Sequence, residues 1–400
     1  MVQPGDRPDP AGLREVVERL VGIARLPTSA GEREAAGIIG EMLTGRGAAV
    51  VVDEVPAYRS YSWPVGVLSA AGVVSALVAG RGGAARRFAG VLGGALAAAG
   101  IADDIVGNRM LGRRTVMRPG TTTNVVAATG DQRSDRTLVV LAHHDAAPSG
   151  VVFHQGLARW LADRYPDLVE KQASNPPLWW PVVAGPALVS LGSALNSPAL
   201  RRTGLVASLL SLAAMVDIGV RPAVPGSNDN LSGVAVLVAL AEALQARPVP
   251  GLRVLLVSAG AEEALQEGIR GFARRYFRTL PTDRTWFVTV DTVGSGRLVL
   301  LEGEGPLRMH DYATGFKDLV AGCAAAQGIP LLRGLRSHNS TDGAVPLRHG
   351  YPAATLVSVD AQKLIPHYHL DTDTAEHVDY DCVAGTVALV ESVARELGHP

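Results

Sequence analysis

The chain has 400 residues, of which 47% are hydrophobic and only 19% charged, so it can bury a large core without disulfide or metal cross-links. Its 37 basic and 38 acidic residues nearly cancel, and it has no basic run interleaved with aromatic residues, which argues against a nucleic-acid partner. Cys323 and Cys382 stand outside any CxxC pair, so we expect neither a thiolate metal cluster nor thiol redox chemistry.

The N-terminal part of the chain predicts two helices and a strand. Residues 1–13 have no basic segment followed by an apolar one, so we expect no cleaved signal peptide there. Apolar residues at helical spacing predict surface helices over residues 13–24 and 35–43. A β-branched run predicts a strand over residues 48–55.

Two hydrophobic regions interrupt this pattern. Residues 61–104 contain a pair of apolar segments separated by three arginines, and residues 176–221 repeat the plan around Arg201 and Arg202. The segments come close to the roughly 20 residues that cross a bilayer core, and tryptophans at the start of each pair suit the membrane interface. We therefore predict two hydrophobic helical hairpins that insert into the lipid bilayer and make the chain a multi-pass protein of the cell membrane.

The same hairpins are also compatible with a soluble helical lid or a dimer contact. Asp217 lies inside the last apolar segment, and a carboxylate near the centre of a bilayer would cost roughly 2.5 to 3.5 kcal/mol. Arginines at the hairpin tips favour cytoplasmic tips, whereas arginines that flank the first hairpin favour a cytoplasmic location for the rest of the chain. The sequence leaves the membrane topology and the oligomeric state open.

The rest of the chain alternates strands with helices. Strands are predicted over residues 124–128, 137–142, 252–258 and 286–290, and helices over residues 233–245 and 269–277. Apolar strands without alternation are typical of strands that are covered on both faces. The pattern predicts a three-layer α/β/α domain with a mixed, mostly parallel central sheet, which the hairpins divide into residues 1–60, 105–175 and 222–400.

Acidic residues and histidines stand just beyond strands or at helix starts in five short motifs. These are His143-His144-Asp145, Asn228-Asp229-Asn230, Glu262-Glu263, Asp291, and His367-Tyr368-His369 with Asp371 and Asp373 behind it. Imidazole and carboxylate donors without a thiolate suit Zn²⁺ or a similar divalent cation in a catalytic site. Two histidines and three carboxylates suffice for two ions roughly 3.5 to 4 Å apart, bridged by one carboxylate. In an extended segment the paired glutamates would point in different directions, so one can bind metal while the other acts as general base.

The motifs and their order resemble the M28 family of zinc peptidases, aminopeptidases with a cocatalytic metal pair. The resemblance rests on the HxD motif at residues 143–145, the NDNxSG motif at residues 228–233, the paired glutamates, Asp291, and His369 followed by Asp373-Thr374. It covers most of the chain outside the hairpins, which are insertions relative to the family. The second hairpin separates His143 from Asp229, residues that lie close in sequence in ordinary members.

The resemblance implies a role for each residue of the motifs. His143 and Asp291 would bind one Zn²⁺, Glu263 and His369 the other, and Asp229 would bridge the two, with Co²⁺ or Mn²⁺ as possible replacements. Glu262 would be the general base for a metal-bridging water. Asp145 would orient the imidazole of His143. His367 is an alternative to His369 as a ligand, since the two would share a face in a strand.

The resemblance implies an exopeptidase that hydrolyses N-terminal peptide bonds, with peptides as substrates. Two other functions stay open. One is a glutaminyl-cyclase-like acyltransferase, which uses the same fold with a single zinc, and the other is a catalytically inactive membrane scaffold or binding protein. Side-chain specificity does not follow from the motifs, although the hairpins suggest hydrophobic or membrane-associated peptides.

Overall fold

A computed structural model describes residues 7–107 and 109–399 of the chain, so part of the segment in which no signal peptide is expected lies outside it. Within these residues the chain forms fourteen α-helices. In chain order they are α1 (Pro10–Val21), α2 (Ala30–Gly45), α3 (Ser62–Gly80), α4 (Ala84–Val106), α5 (Leu111–Val116), α6 (Gly156–Arg164), α7 (Pro166–Lys171), α8 (Trp179–Ala194), α9 (Pro198–Val220), α10 (Ser232–Ala246), α11 (Glu267–Tyr276), α12 (Thr314–Ala326), α13 (Ala344–Arg348) and α14 (Tyr380–Gly398).

The described residues also form ten strands, seven of them in one sheet. In chain order they are β1 (Ala49–Ala57), β2 (Gly120–Gly130), β3 (Thr137–His143), β4 (Arg253–Ala259), β5 (Thr285–Val290), β6 (Arg297–Leu300), β7 (Gly303–Glu304), β8 (His310–Asp311), β9 (Arg336–Ser337) and β10 (Ala353–Val359). The large sheet has the order β1-β2-β4-β3-β5-β10-β6, in which β4, β3, β5 and β10 are parallel and the other strands pair antiparallel. Strands β8, β7 and β9 form a small separate sheet.

Helices cover both faces of the large sheet, which confirms the predicted three-layer α/β/α fold. Successive residues of β3 alternate between two cores: Leu138 and Val140 pack with α1, α2, α10 and α14, whereas Val139 and Leu141 pack with α11. Both sets of side chains are buried, which explains why the strand is apolar without alternation.

The two predicted hairpins are present as helical pairs, α3 with α4 and α8 with α9. The pairs pack against each other, α3 on α9 and α4 on α8, as a four-helix bundle. Glycines allow close approach of the backbones: a Cβ added at Gly94 would lie 2.7 Å from the carbonyl oxygen of Pro186, and one at Gly204 would lie 2.6 Å from that of Gly185. The short helices α6 and α7 are not predicted by the sequence.

The outer surface of the bundle is apolar. Exposed side chains on it include Val67, Val74, Leu77, Phe88, Leu92, Leu96, Leu191, Val206, Leu209, Leu210 and Val216. Four helical segments are long and apolar enough to cross a membrane: Ser62–Gly80, Ala84–Val106, Pro198–Val220 and Ser227–Ala246. The last is 72% buried over its most apolar window, against 28 to 44% for the others, because it contains α10 of the sheet domain rather than a bundle helix.

Asp217 does not lie in the middle of the bundle. It stands in the last turn of α9, where it accepts hydrogen bonds from the backbone N–H of Val151 at 2.8 Å and from Nε of Arg221 at 2.9 Å. A carboxylate paired in this way at a helix end avoids the cost of a charge at the bilayer centre. The position of Asp217 is therefore compatible with a bundle that spans a membrane.

Candidate metal centre and active site

The candidate site lies at the carboxyl ends of the parallel strands, where open α/β sheets carry their sites. His143 is the last residue of β3, and Asp291 directly follows β5. Asp229 lies in an irregular turn, Ser227–Leu231, that leads into α10, and its peptide bond with Asn230 is cis. His369 lies in the loop between β10 and α14. The fold thus brings segments that are far apart in sequence to one edge of the sheet.

The paired glutamates follow β4 in a single turn of 3-10 helix, Glu262–Ala264, and not in the extended segment assumed from the sequence. The backbone is left-handed on both sides of this turn, with φ of 50° at Ala261 and 69° at Leu265. Both glutamates are buried and both line the cavity at the strand ends. Their two side chains therefore face one site, although the local backbone differs from that expected.

Asp229 lies between the two histidines of the site. Its Oδ1 is 3.2 Å from Nε2 of His143, and its Oδ2 is 3.2 Å from Nε2 of His369, which is also 3.3 Å from Oε1 of Glu263. Each carboxylate oxygen thus faces a different histidine. Potential ligand atoms within 4.8 Å of one another form three overlapping groups: His143, Asp229 and Asp291; Asp229, Glu263 and His369; and His143, Glu262 and Glu263.

These donors fit a pair of divalent cations. All are buried, and Oε1 of Glu263 has no hydrogen-bond partner among the described residues. Burial raises the pKa of Asp291 to about 8, although His143 opposes the shift, and burial likewise raises the pKa of Glu262 well above its usual range. Without cations, so many carboxylates could not all stay ionised in this enclosed space. Imidazole nitrogen and carboxylate oxygen are donors that Zn²⁺ accepts.

Two further aspartates hold the backbone of the donor segments. Asp145 accepts hydrogen bonds from the backbone N–H groups of Glu262 and Glu263, both at 3.0 Å, and its Oδ1 is 3.5 Å from Nδ1 of His143. Asp373 accepts from the backbone N–H groups of Asn228 at 2.8 Å and Asp229 at 3.1 Å. Asp145 thus contacts both the histidine that the sequence analysis gave it and the paired glutamates. The positioning contacts of Asp373 were not predicted.

Replacing Asp373 by Asn should weaken Zn²⁺ binding about 10- to 100-fold, because the amide nitrogen would face one of the two N–H groups that position Asp229. Competition with a chelator of known affinity measures the change. Asp371→Asn is the matched control, since Asp371 is exposed and only two positions away. Equal affinities in the two variants would contradict the positioning role.

Gln266 and Arg25 also support the site and were not singled out from the sequence. Nε2 of Gln266 donates to Oε1 of Glu262 at 3.0 Å and to the carbonyl oxygen of Ser340 at 2.9 Å, which fixes one oxygen of the glutamate. The fully buried guanidinium of Arg25 donates to five backbone carbonyl oxygens, among them that of His144. The spacing of apolar residues that predicts helices does not indicate the polar contacts that these two side chains make.

A buried ion cluster joins the first hairpin to the segment that carries the paired glutamates. Arg113 on α5 donates to both carboxylate oxygens of Asp104 on α4, at 3.1 and 2.9 Å. Its Nη1 donates to Oε1 of Glu267 at 2.9 Å and to the carbonyl oxygen of Ala264 at 2.5 Å. All three charged side chains are almost completely buried. The turn that carries Glu262 and Glu263 is therefore anchored to the base of the bundle.

The remaining histidines of the motifs point elsewhere. His144 is buried, and its Nδ1 pairs with Oγ of Ser258 at 2.9 Å, away from the donors, as alternation along the strand predicts. His367 lies in a turn rather than a strand, and its Nδ1 pairs with Oγ1 of Thr372 at 2.7 Å. Its ring stacks on that of His377. Of the two alternatives left open by the sequence, His369 is the one beside Asp229.

Comparisons with known proteins relate part of the chain to a peptidase family and its fold to solved structures. The family model for peptidase family M28 matches residues 212–394. No curated protein matches the sequence. Among solved structures, the zinc aminopeptidase BSAP from Bacillus subtilis is similar with a TM-score of 0.56 at 13% identity, over 97% of this chain and 94% of that one.

Two further solved structures are similar at the same level. A glutaminyl cyclase from Bacteroides thetaiotaomicron has a TM-score of 0.57 at 14% identity, over 98% of this chain and 99% of that one. An aminopeptidase from Aneurinibacillus sp. strain AM-1 has a TM-score of 0.53 at 15% identity, over 97% and 93%. At such identities these likenesses establish the fold.

Proposed function

We propose that the chain is a metal-dependent aminopeptidase that hydrolyses N-terminal peptide bonds, and the match of residues 212–394 to the model of peptidase family M28 supports this. The observation that carries the proposal is the position of Asp229 between two donor groups, with one oxygen toward each histidine. Glu262 then remains beside the donors as a buried carboxylate for proton transfer.

The proposed ligands are those expected from the sequence. His143 and Asp291 would hold one Zn²⁺, Glu263 and His369 the other, and Asp229 would bridge them; Co²⁺ or Mn²⁺ could take the same positions. When bound, the ions would polarise the peptide carbonyl and lower the pKa of the attacking water. Side chains of this protein would carry out the proton transfers.

Glu262 is the proposed general base. Its carboxylate would accept a proton from the attacking water and return it to the leaving amine. The hydrogen bond from Gln266 restrains one of its oxygens, and the hydrogen bonds from Glu262 and Glu263 to Asp145 hold the turn in place. Such restraint matters because proton transfer depends on geometry within hydrogen-bonding distance.

The first experiment combines metal analysis of the detergent-extracted full chain with hydrolysis of a panel of aminoacyl nitroanilides. We expect two Zn²⁺ per chain and hydrolysis that a chelator abolishes and added Zn²⁺ restores. One metal per chain with cyclisation of glutaminyl peptides would instead establish the cyclase, the alternative favoured by the glutaminyl-cyclase-like fold. No metal and no turnover would establish the inactive scaffold.

We also propose that the two hairpins anchor the chain in the cell membrane as multi-pass segments. The apolar outer surface of the bundle and the length of α3, α4 and α9 support this. The protein should remain in membranes that are washed with alkaline carbonate and should leave them only with detergent. Release by carbonate alone would favour a soluble lid or a dimer contact.

A further inference from the structure

A second cavity of about 140 Å³ leads from the catalytic glutamates into the base of the bundle. Its apolar wall includes Tyr61, Ile105, Trp179, Val182, Met215 and Ile218. These residues come from both hairpins or stand directly beside them. The inserted helices therefore supply part of the wall of the proposed active site, and the sheet domain supplies the rest.

The wall of this cavity reaches the donor residues. Glu262, Glu263 and His369 line its inner end, and the ring of Phe153 packs edge-on against that of His369 with 4.4 Å between centroids. Phe153 also packs on the apolar cluster that contains Ile105 and Met215. A group held between the bundle helices would thus lie directly beside the proposed reaction centre.

The chemistry of the cavity selects an apolar occupant. Apart from the catalytic residues at its inner end, its few polar side chains are neutral ones, such as Ser211, Gln266 and Asn339. Gln266 is already engaged with Glu262 and with the backbone of Ser340. A charged substrate group would lose its hydration here without gaining an ionic partner away from the donors, whereas an alkyl chain would be removed from water.

The outer rim of the cavity is continuous with exposed apolar surface. Val152 lines the cavity and is 48% exposed. Val151 next to it is also exposed, and its backbone N–H donates to Asp217 in the last turn of α9, which brings this segment to the end of a bundle helix. An alkyl chain longer than the cavity could therefore extend outward along apolar side chains and not into a polar surface.

We propose that this cavity binds an alkyl chain carried by the substrate residue at the scissile bond, so that the substrates are amphiphilic peptides or amides. The proposal rests on the function proposed above, because it assigns a substrate class to the same site. It predicts that hydrolysis becomes more efficient as the alkyl chain grows and that blocking the bundle side of the cavity removes only this gain.

Ala214→Phe fills the cavity from α9, and Ala213→Phe is the matched control, since the neighbouring Ala213 is exposed and does not line the cavity. Nitroanilides of alanine, norleucine and 2-aminodecanoic acid are compared on the full chain in lipid nanodiscs. In the wild type, kcat/KM should rise at least tenfold from the shortest to the longest. Ala214→Phe should abolish the rise, so that its three kcat/KM values lie within twofold of one another, whereas Ala213→Phe should behave as wild type. No rise, or a rise that persists in Ala214→Phe, would overturn the proposal.

A binding measurement separates this proposal from the aminopeptidase itself. An amide of 2-aminodecanoic acid with a diazirine in its alkyl chain should label α9 around residues 211–218, and Ala214→Phe but not Ala213→Phe should prevent labelling. Labelling without hydrolysis of any nitroanilide would refute the aminopeptidase and support the cavity. Hydrolysis without labelling at α9 would refute the cavity and leave the aminopeptidase in place.

Discussion

Glu262→Gln should lower kcat by a factor of about 10² to 10⁴ and leave the metal content unchanged. The amide cannot accept the proton of the attacking water, but its oxygen can still accept the hydrogen bond that Gln266 now donates to Glu262. The turn should therefore keep its shape. Nitroanilide hydrolysis and elemental analysis on the same preparation measure the two quantities.

Glu263→Gln is the matched control for this prediction. The two glutamates are adjacent, are equally buried, and both donate backbone hydrogen bonds to Asp145. Glu263 differs because its Oε1 lies 3.3 Å from Nε2 of His369 and because it belongs to two of the donor groups, whereas Glu262 belongs to one. Its substitution should therefore reduce metal binding as well as activity. Undiminished hydrolysis in Glu262→Gln, or loss of metal from that variant, would refute the assignment of the base.

Arg113→Met should destabilise the protein by about 3 to 5 kcal/mol, the second large effect that we expect. The substitution keeps an apolar stem but leaves Asp104 and Glu267 buried without their cation, and unpaired buried charges are strongly destabilising. Thermal and urea unfolding of the detergent-extracted protein measure the loss. Activity should fall as well, because Arg113 also holds the carbonyl oxygen of Ala264 beside the paired glutamates.

Arg114→Met controls for the loss of an arginine from the same helix, since Arg114 is exposed. It should change stability by less than about 0.5 kcal/mol. Adding Asp104→Asn and Glu267→Gln to Arg113→Met removes the remaining charges and should recover part of the stability. If Arg113→Met and Arg114→Met unfold alike, the ion cluster does not anchor the hairpin.

The sequence predicted most of what depends on local patterns. Strand-end motifs identified His143 and Asp291 because parallel strands deliver their following residues to one edge of a sheet. Asp229 was identified from a motif at the start of a predicted helix. Long uncharged segments, close to the length that crosses a bilayer, identified the hairpins. The family resemblance then supplied an order of motifs, and the structure brings the corresponding side chains within contact distance.

What the sequence missed depends on contacts between distant segments. Asp373 accepts hydrogen bonds from the backbone N–H groups of Asn228 and Asp229, far from it in sequence. Gln266 joins Glu262 to the distant backbone of Ser340. Arg25 lies between two predicted surface helices but is completely buried. The 3-10 turn at Glu262 was missed because its left-handed flanks involve alanine and leucine, which are not typical of such backbone.

The two insertions also impose an order on assembly. Of the five proposed metal ligands, only His143 precedes the second hairpin in the chain, and Asp229, Glu263, Asp291 and His369 all follow it. A ribosome must therefore synthesise both hairpins before either donor group is complete. A nascent chain that stops after the first hairpin, or between the two, carries at most one of these five residues. The proposed activity can therefore begin only after the helices that line the second cavity have been made.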